Sequence, residues 1–105
     1  MGTSSGLDAV VVGVLRLTFA LHGVRSLKEK RRILARLRDR VRARFNVAWS
    51  EVGDQDELQR AEIGVAAVSG EARYLDGQLN RVVDEVEAAH AAELVHREME
   101  IVHYG

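Results

Sequence analysis

The sequence predicts an α+β fold in which one four-stranded antiparallel sheet carries two helices on a single face. Three observations predict it. Strand-like runs of β-branched and alternating apolar residues recur along the chain, two segments with apolar residues every three or four positions interrupt them, and the order is strand, helix, strand, strand, helix, strand. A helix with one apolar stripe must bury it, and two such helices fit on one face of a single sheet. Right-handed crossovers then give the split βαβ arrangement, a ferredoxin-like βαββαβ sandwich.

Each element has its own signature. Residues 9–22 are β-branched and aromatic, and the odd positions Val11, Leu15, Leu17, Phe19 and Leu21 form one apolar face at strand spacing. After Gly23, Ser26 with Glu29 three positions later reads as a capping box, so the first helix starts there. Ile33, Leu34, Leu37 and Val41 then fall on one side of it, at about 100° per residue. Residues 46–52 and 61–69 read as a hairpin through the polar turn Gly53–Asp54–Gln55–Asp56. A second helix over 72–89 carries Leu75, Leu79, Val82, Val83 and Val86 on one face, with Asp76, Asp84 and Glu87 elsewhere. Residues 94–104 alternate His96, Glu98 and Glu100 with Val95, Arg97, Met99 and Ile101, the pattern of a strand with one wet face. Gly13 and Gly64 sit inside strands, where a missing side chain marks a bulge or the close approach of a neighbouring element.

Composition narrows the function classes. A chain of 105 residues, 47% hydrophobic and 30% charged, suits one globular domain, expected over residues 7–105 behind a mobile small-residue tail at 1–6. The longest apolar run, Ala9 to Leu15, is far short of the roughly 20 residues of a membrane span, and no secretory signal is apparent. Without cysteine there is no disulfide framework, thiolate zinc site or iron–sulfur cluster, which makes the cytoplasm the expected location. His22, His90, His96 and His103 lack the helical spacing of a metal pair, and Asp54, Asp56 and Glu57 lack the offsets of a calcium loop and read as a hairpin turn. No phosphate loop, nucleophile elbow or paired-acid motif is present, so neither a cofactor nor an enzymatic activity is expected.

Four stretches carry a family resemblance: GVLRL (13–17), SLKEKRR (26–32), RFNVAWSEVGDQDELQRA (44–61) and IGVAAVS (63–69). Together they resemble the YlxP-like family of small bacterial proteins of unknown function, over residues 11–104. The resemblance implies a ferredoxin-like fold and no established activity or catalytic residue. It also implies a genomic context beside translation initiation and ribosome maturation factors. Trp49 stands where a smaller aliphatic is more usual in the family, and His22 where proline is common.

Charge is strongly segregated beneath a net charge of −1. Residues 25–44 hold ten basic side chains against two acidic ones, whereas the remainder holds five against fourteen. With Leu37 at the centre of the buried stripe, Lys28, Arg31, Arg32, Arg38 and Arg42 fall on the solvent side of the first helix, flanked by Arg36 and Arg40. Such a ridge can bind phosphates through charge-assisted hydrogen bonds and counterion release, so RNA or a ribosomal particle is the expected partner. The competing reading is a solvated face that trades salt bridges with the acidic second helix.

The open face of the sheet offers a second function. If the odd residues of the first strand face the helices, Val10, Val12 and Val14 face away, and Ala66 and Val68 of the third strand join them. Such an apolar surface suits a homodimer or protein interface. Trp49 belongs either to that surface or to the core, depending on the register of its strand. The first and third strands offer no pair of exposed aromatics for stacking bases, so RNA binding is expected on the basic helix.

Overall fold

Strand β1 (Val11–Ala20) buries Val11, Leu15, Leu17 and Phe19 on one side, and helix α1 (Leu27–Arg44) follows after the left-handed turn at Gly23. The other elements are β2 (Ala48–Gly53), β3 (Arg60–Ser69), α2 (Ala72–Ala89) and β4 (Glu93–His103). This computed structural model describes Gly6 and residues 8–104; apart from Gly6, the expected tail at 1–6 lies outside the described residues. The strands form one antiparallel sheet in the order β2-β3-β1-β4. The βαββαβ, ferredoxin-like α+β expectation therefore holds. No helix among the described residues is long and apolar enough to cross a membrane.

The predicted cap forms at α1, with one change. Ser26 Oγ accepts the Glu29 amide at 3.1 Å, but Glu29 Oε2 takes the amide of Arg25, one residue before the cap, at 3.2 Å. The first turn is still satisfied from both sides. At the far end, the Phe45 amide bonds Val41 O at 2.8 Å. Helix α2 ends at His90 in the left-handed region (φ 52°), which reverses the chain into β4.

The core lies between the sheet and the helices. Leu34, Leu37 and Val41 of α1 and Leu75, Leu79, Val82, Val83 and Val86 of α2 pack on Leu15, Leu17, Phe19, Ile63 and Val65. Ile33, predicted in the buried stripe, is only half-buried. Gly13 shows what a missing side chain permits, because a Cβ there would lie 2.7 Å from Leu79 Cδ1 and 3.4 Å from Leu75 Cβ. Helix α2 approaches β1 so closely only over a glycine.

Two register shifts alter the simple alternation. Opposite Thr18 and Phe19 the partners are His96 and Leu94, so Val95 bulges out of β4 and is 50% exposed. Its place on the apolar side of the predicted alternation does not hold, because a bulge residue pairs with nothing and shifts the faces. The second shift lies between Glu51 and Gly53, leaving Val52 unpaired over Gly64.

Candidate nucleic-acid interface

The fold divides the basic helix into flanks. On one, Arg44 Nη1 lies 2.7 Å from Glu85 Oε1 of α2 and Arg40 Nε donates to the other oxygen of the same carboxylate. These hydrogen bonds, first from Arg40 and then from Arg44, hold the Glu85 carboxyl below the usual carboxylate range. The interhelical pairing foreseen for the seam thus accounts for Arg40 and Arg44. It leaves the other predicted cations unexplained.

Lys28, Arg31, Arg32 and Arg42 are exposed, and among the described residues none meets a carboxylate. Arg38 differs from these four. It is only half-exposed, and its Nε donates to Asp39 Oδ1 at 3.0 Å. Lys28, Arg31, Ala35, Arg38 and Arg42 follow one another at intervals of three and four, so they form a single row along the helix. At about 1.5 Å per residue the row is roughly 21 Å long.

Beside this row runs a groove of about 360 Å³ between α1 and the edge strand β2. Arg31, Ala35 and Arg38 form one wall, Trp49, Ser50 and Glu51 the other, with Leu34 and Ile63 beneath. Trp49 pairs in register with Val65, a buried helix-facing residue, so its side chain belongs to the helix side of the sheet. It packs half-buried against the core and does not belong to the open face.

Glu51 is the carboxylate in that groove, and it is answered from beneath. Its Oε2 lies 3.0 Å from Nζ of Lys30, a side chain only 1% exposed. The same ammonium donates to Asp54 O at 2.6 Å and Glu57 O at 2.5 Å. Position 30 falls within the buried stripe of α1, and there the lysine reaches the β2–β3 turn, which passes through positive φ at Asp54. Two carbonyl hydrogen bonds and the charge of one carboxylate compensate the buried ammonium. Lys30 therefore joins the SLKEKRR and SEVGDQD stretches into one node and neutralises Glu51.

Asp54 is committed to this node and to Arg60, whose Nε lies 2.9 Å from Oδ2, in keeping with a hairpin turn. His22 pairs with Glu93 at 2.7 Å and His96 with Glu98 at 2.9 Å. Among the described residues no group of three His, Asp or Glu side chains is arranged to hold a metal.

The open face divides in two. Val14 and Val68 are 41% and 69% exposed, Val10, Val12 and Ala66 are half-buried, and Val52, raised by its bulge, adds 55% exposure. Beyond this patch lies a charged half. Glu62 is buried there, with Arg16 Nε at 2.8 Å, Arg60 Nη2 at 3.2 Å and Thr18 Oγ1 at 3.1 Å. Glu98 is held below the usual carboxylate range, chiefly by its hydrogen bond from His96 and then by Arg16. Glu62 and Val52 were not singled out in the sequence, although strand alternation alone puts Glu62 on this face.

Known proteins resemble this chain in fold or in sequence. The de novo designed protein Foldit4 is similar over 91% of this chain and 99% of its own, with a TM-score of 0.57 and 14% identity. SnoaB of Streptomyces nogalater, described as a cofactor-independent oxygenase, is similar over 91% of this chain and 93% of its own, at a TM-score of 0.46 and 16% identity. The likeness to a designed protein concerns the fold and carries no activity with it. The uncharacterized protein YlxP of Bacillus subtilis (strain 168) is 40% identical over 73 residues, which cover 70% of this chain and 79% of that protein. The family model described as "Protein of unknown function (DUF503)" matches residues 12–99, a span that includes the cationic row, the groove and the Lys30 node. In agreement with the YlxP-like resemblance of its motifs, this chain belongs to the DUF503 family.

Proposed function

We propose that the protein is a non-enzymatic accessory factor that binds RNA or a ribosomal particle through α1, in translation or ribosome maturation. One observation carries this reading: Arg40 and Arg44 are neutralised by Glu85, whereas Lys28, Arg31, Arg32 and Arg42 meet no carboxylate among the described residues. Solvated cations along one helix supply phosphate contacts without the desolvation cost of breaking internal pairs. The acidic remainder of the chain would repel a polyanion, so the contact is one-sided. The genomic context implied by the family resemblance points to the same class of partner.

Four contacts to a single strand give a slope of log affinity against log salt of about −2.8, or about −3.5 if Arg38 leaves Asp39 for a phosphate. The decisive test replaces Arg31, Arg32 and Arg42 together by Glu. The circular dichroism spectrum should be unchanged, because these side chains are exposed, and co-sedimentation with ribosomal particles or structured RNA should disappear. Unchanged binding by the triple variant, or no wild-type binding at low salt, refutes the proposal.

A second reading, a homodimeric interaction module, is favoured by the contiguity of the apolar patch. Val12 pairs with Val68 and Val14 with Ala66 across β1 and β3, so the exposed valines form one surface. That surface and the cationic row lie on opposite sides of the sheet, and the two readings are compatible.

A further inference from the structure

We propose that the groove between α1 and β2 holds an unpaired nucleobase stacked on the indole of Trp49, with the adjoining phosphates on Arg31 and Arg38. The inference rests on the reading of α1 as an RNA-binding helix and adds that the bound RNA is single-stranded where it crosses the groove.

Four features of the groove converge on this ligand. Arg31 and Arg38 stand two helical turns apart, about 10.5 Å along the axis, on either side of Ala35. Ala35 is the one small residue in a row of long cations, and it leaves open the space above Trp49. The volume of about 360 Å³ falls within the roughly 300–1,000 Å³ of small-ligand sites. The indole is half-buried against Leu34, Ile63 and their neighbours, so it offers a fixed aromatic surface that costs little entropy to use.

Electrostatics agree with the geometry. Glu51 would repel a phosphate, but Lys30 neutralises its carboxylate from the protein side, leaving Arg31 to set the sign of the wall, joined by Arg38 when it turns from Asp39 to a phosphate. Because β2 is a sheet edge, a flexible strand can run along the groove and turn one base inward. A base locked in a duplex cannot turn so, which separates this site from simple phosphate binding.

Trp49 is the only tryptophan of the chain, so its fluorescence reports on the site directly. The probe is a fluorescein-labelled oligoadenylate of about ten nucleotides, within the span of single-strand sites, titrated at low salt beside a fully paired RNA hairpin. The single strand should quench Trp49 and the hairpin should not. Trp49→Leu should weaken oligoadenylate binding, read by anisotropy, by roughly 5- to 150-fold, the equivalent of about 1–3 kcal/mol of base stacking. Trp49→Phe should retain most of the affinity. Ala35→Met, which fills the groove from a helical position without touching the indole's own strand, should weaken binding to a similar degree with the circular dichroism spectrum unchanged; it carries the test if Trp49→Leu fails to fold. Binding by anisotropy with no change in Trp49 fluorescence, or wild-type affinity in Ala35→Met, overturns the stacking site while leaving α1 as the RNA contact. No binding of either RNA at low salt overturns both.

Discussion

Replacing Lys30 by Met tests whether the node beneath the groove holds the structure together. The substitution keeps most of the buried methylene packing and removes the ammonium that serves Asp54 O, Glu57 O and Glu51 Oε2. Breaking a buried charged pair by deleting one partner costs about 3–5 kcal/mol. Asp54 and Glu57 are exposed residues whose carbonyls can take water instead, which favours the lower end, about 3 kcal/mol. For a chain of this length, at about 4 °C per kcal/mol, the melting temperature should fall by roughly 12 °C. Urea unfolding followed by Trp49 fluorescence gives the free energy, and the denaturant slope should not change. Adding Glu51→Gln to Lys30→Met should cost less than the two single effects combined, because the half-buried side chain at position 51 no longer carries an uncompensated charge. A loss below about 1 kcal/mol in Lys30→Met would refute the reasoning, since it would mean that water replaces the ammonium freely.

Three further outcomes follow from the packing and the ion pairs. Gly13→Ala should destabilise by about 1–3 kcal/mol, because the new Cβ meets fully buried Leu79, whereas Gly64→Ala should cost under about 1 kcal/mol, because exposed Val52 can yield; equal losses in thermal unfolding would contradict this. Glu85 has a folded-state pKa below its unfolded value, so its contribution is present above the ordinary carboxylate range and disappears as pH falls through the depressed folded value. The stability gap between wild type and the Arg40→Ala/Arg44→Ala double variant should accordingly be constant near neutrality and close in acid; a gap that does not narrow at all on acidification would show that the seam acts by packing alone. Val68→Glu, at a site 69% exposed, should leave the fold intact and shift sedimentation towards monomer, and a wild type that is already monomeric at high concentration removes the homodimer reading.

Much of this architecture was legible because it depends on local periodicity. The bounds of α2 coincide with its apolar stripe, and the capping residues Ser26 and Glu29 mark the start of α1. The open-face valines followed from alternation alone. What escaped depends on encounters between distant segments. Position 30 has the helical phase of a core residue, but a lysine there reads as solvent-facing until the β2–β3 turn supplies carbonyls to bury it. The bulges at Val52 and Val95 are likewise decided by pairing partners, and they settle which face each neighbour occupies. Trp49 could not be assigned until β3 fixed its register opposite Val65. The pairing of Arg38 with adjacent Asp39 is a smaller case of the same kind, because helical phase does not reveal it.

The bulge in β4 has a consequence for how copies of this chain can meet. A long outer strand exposes a row of free amides and carbonyls that could template pairing with another strand. Here the strand bends at Val95, and Glu93, His96, Arg97, Glu98 and Glu100 surround that bend with mixed charge. Extending the sheet from one molecule into the next would force a kinked, charged ribbon to lie flat against its neighbour. Continuous fibre-like stacking is thereby discouraged along the β4 border of the sheet.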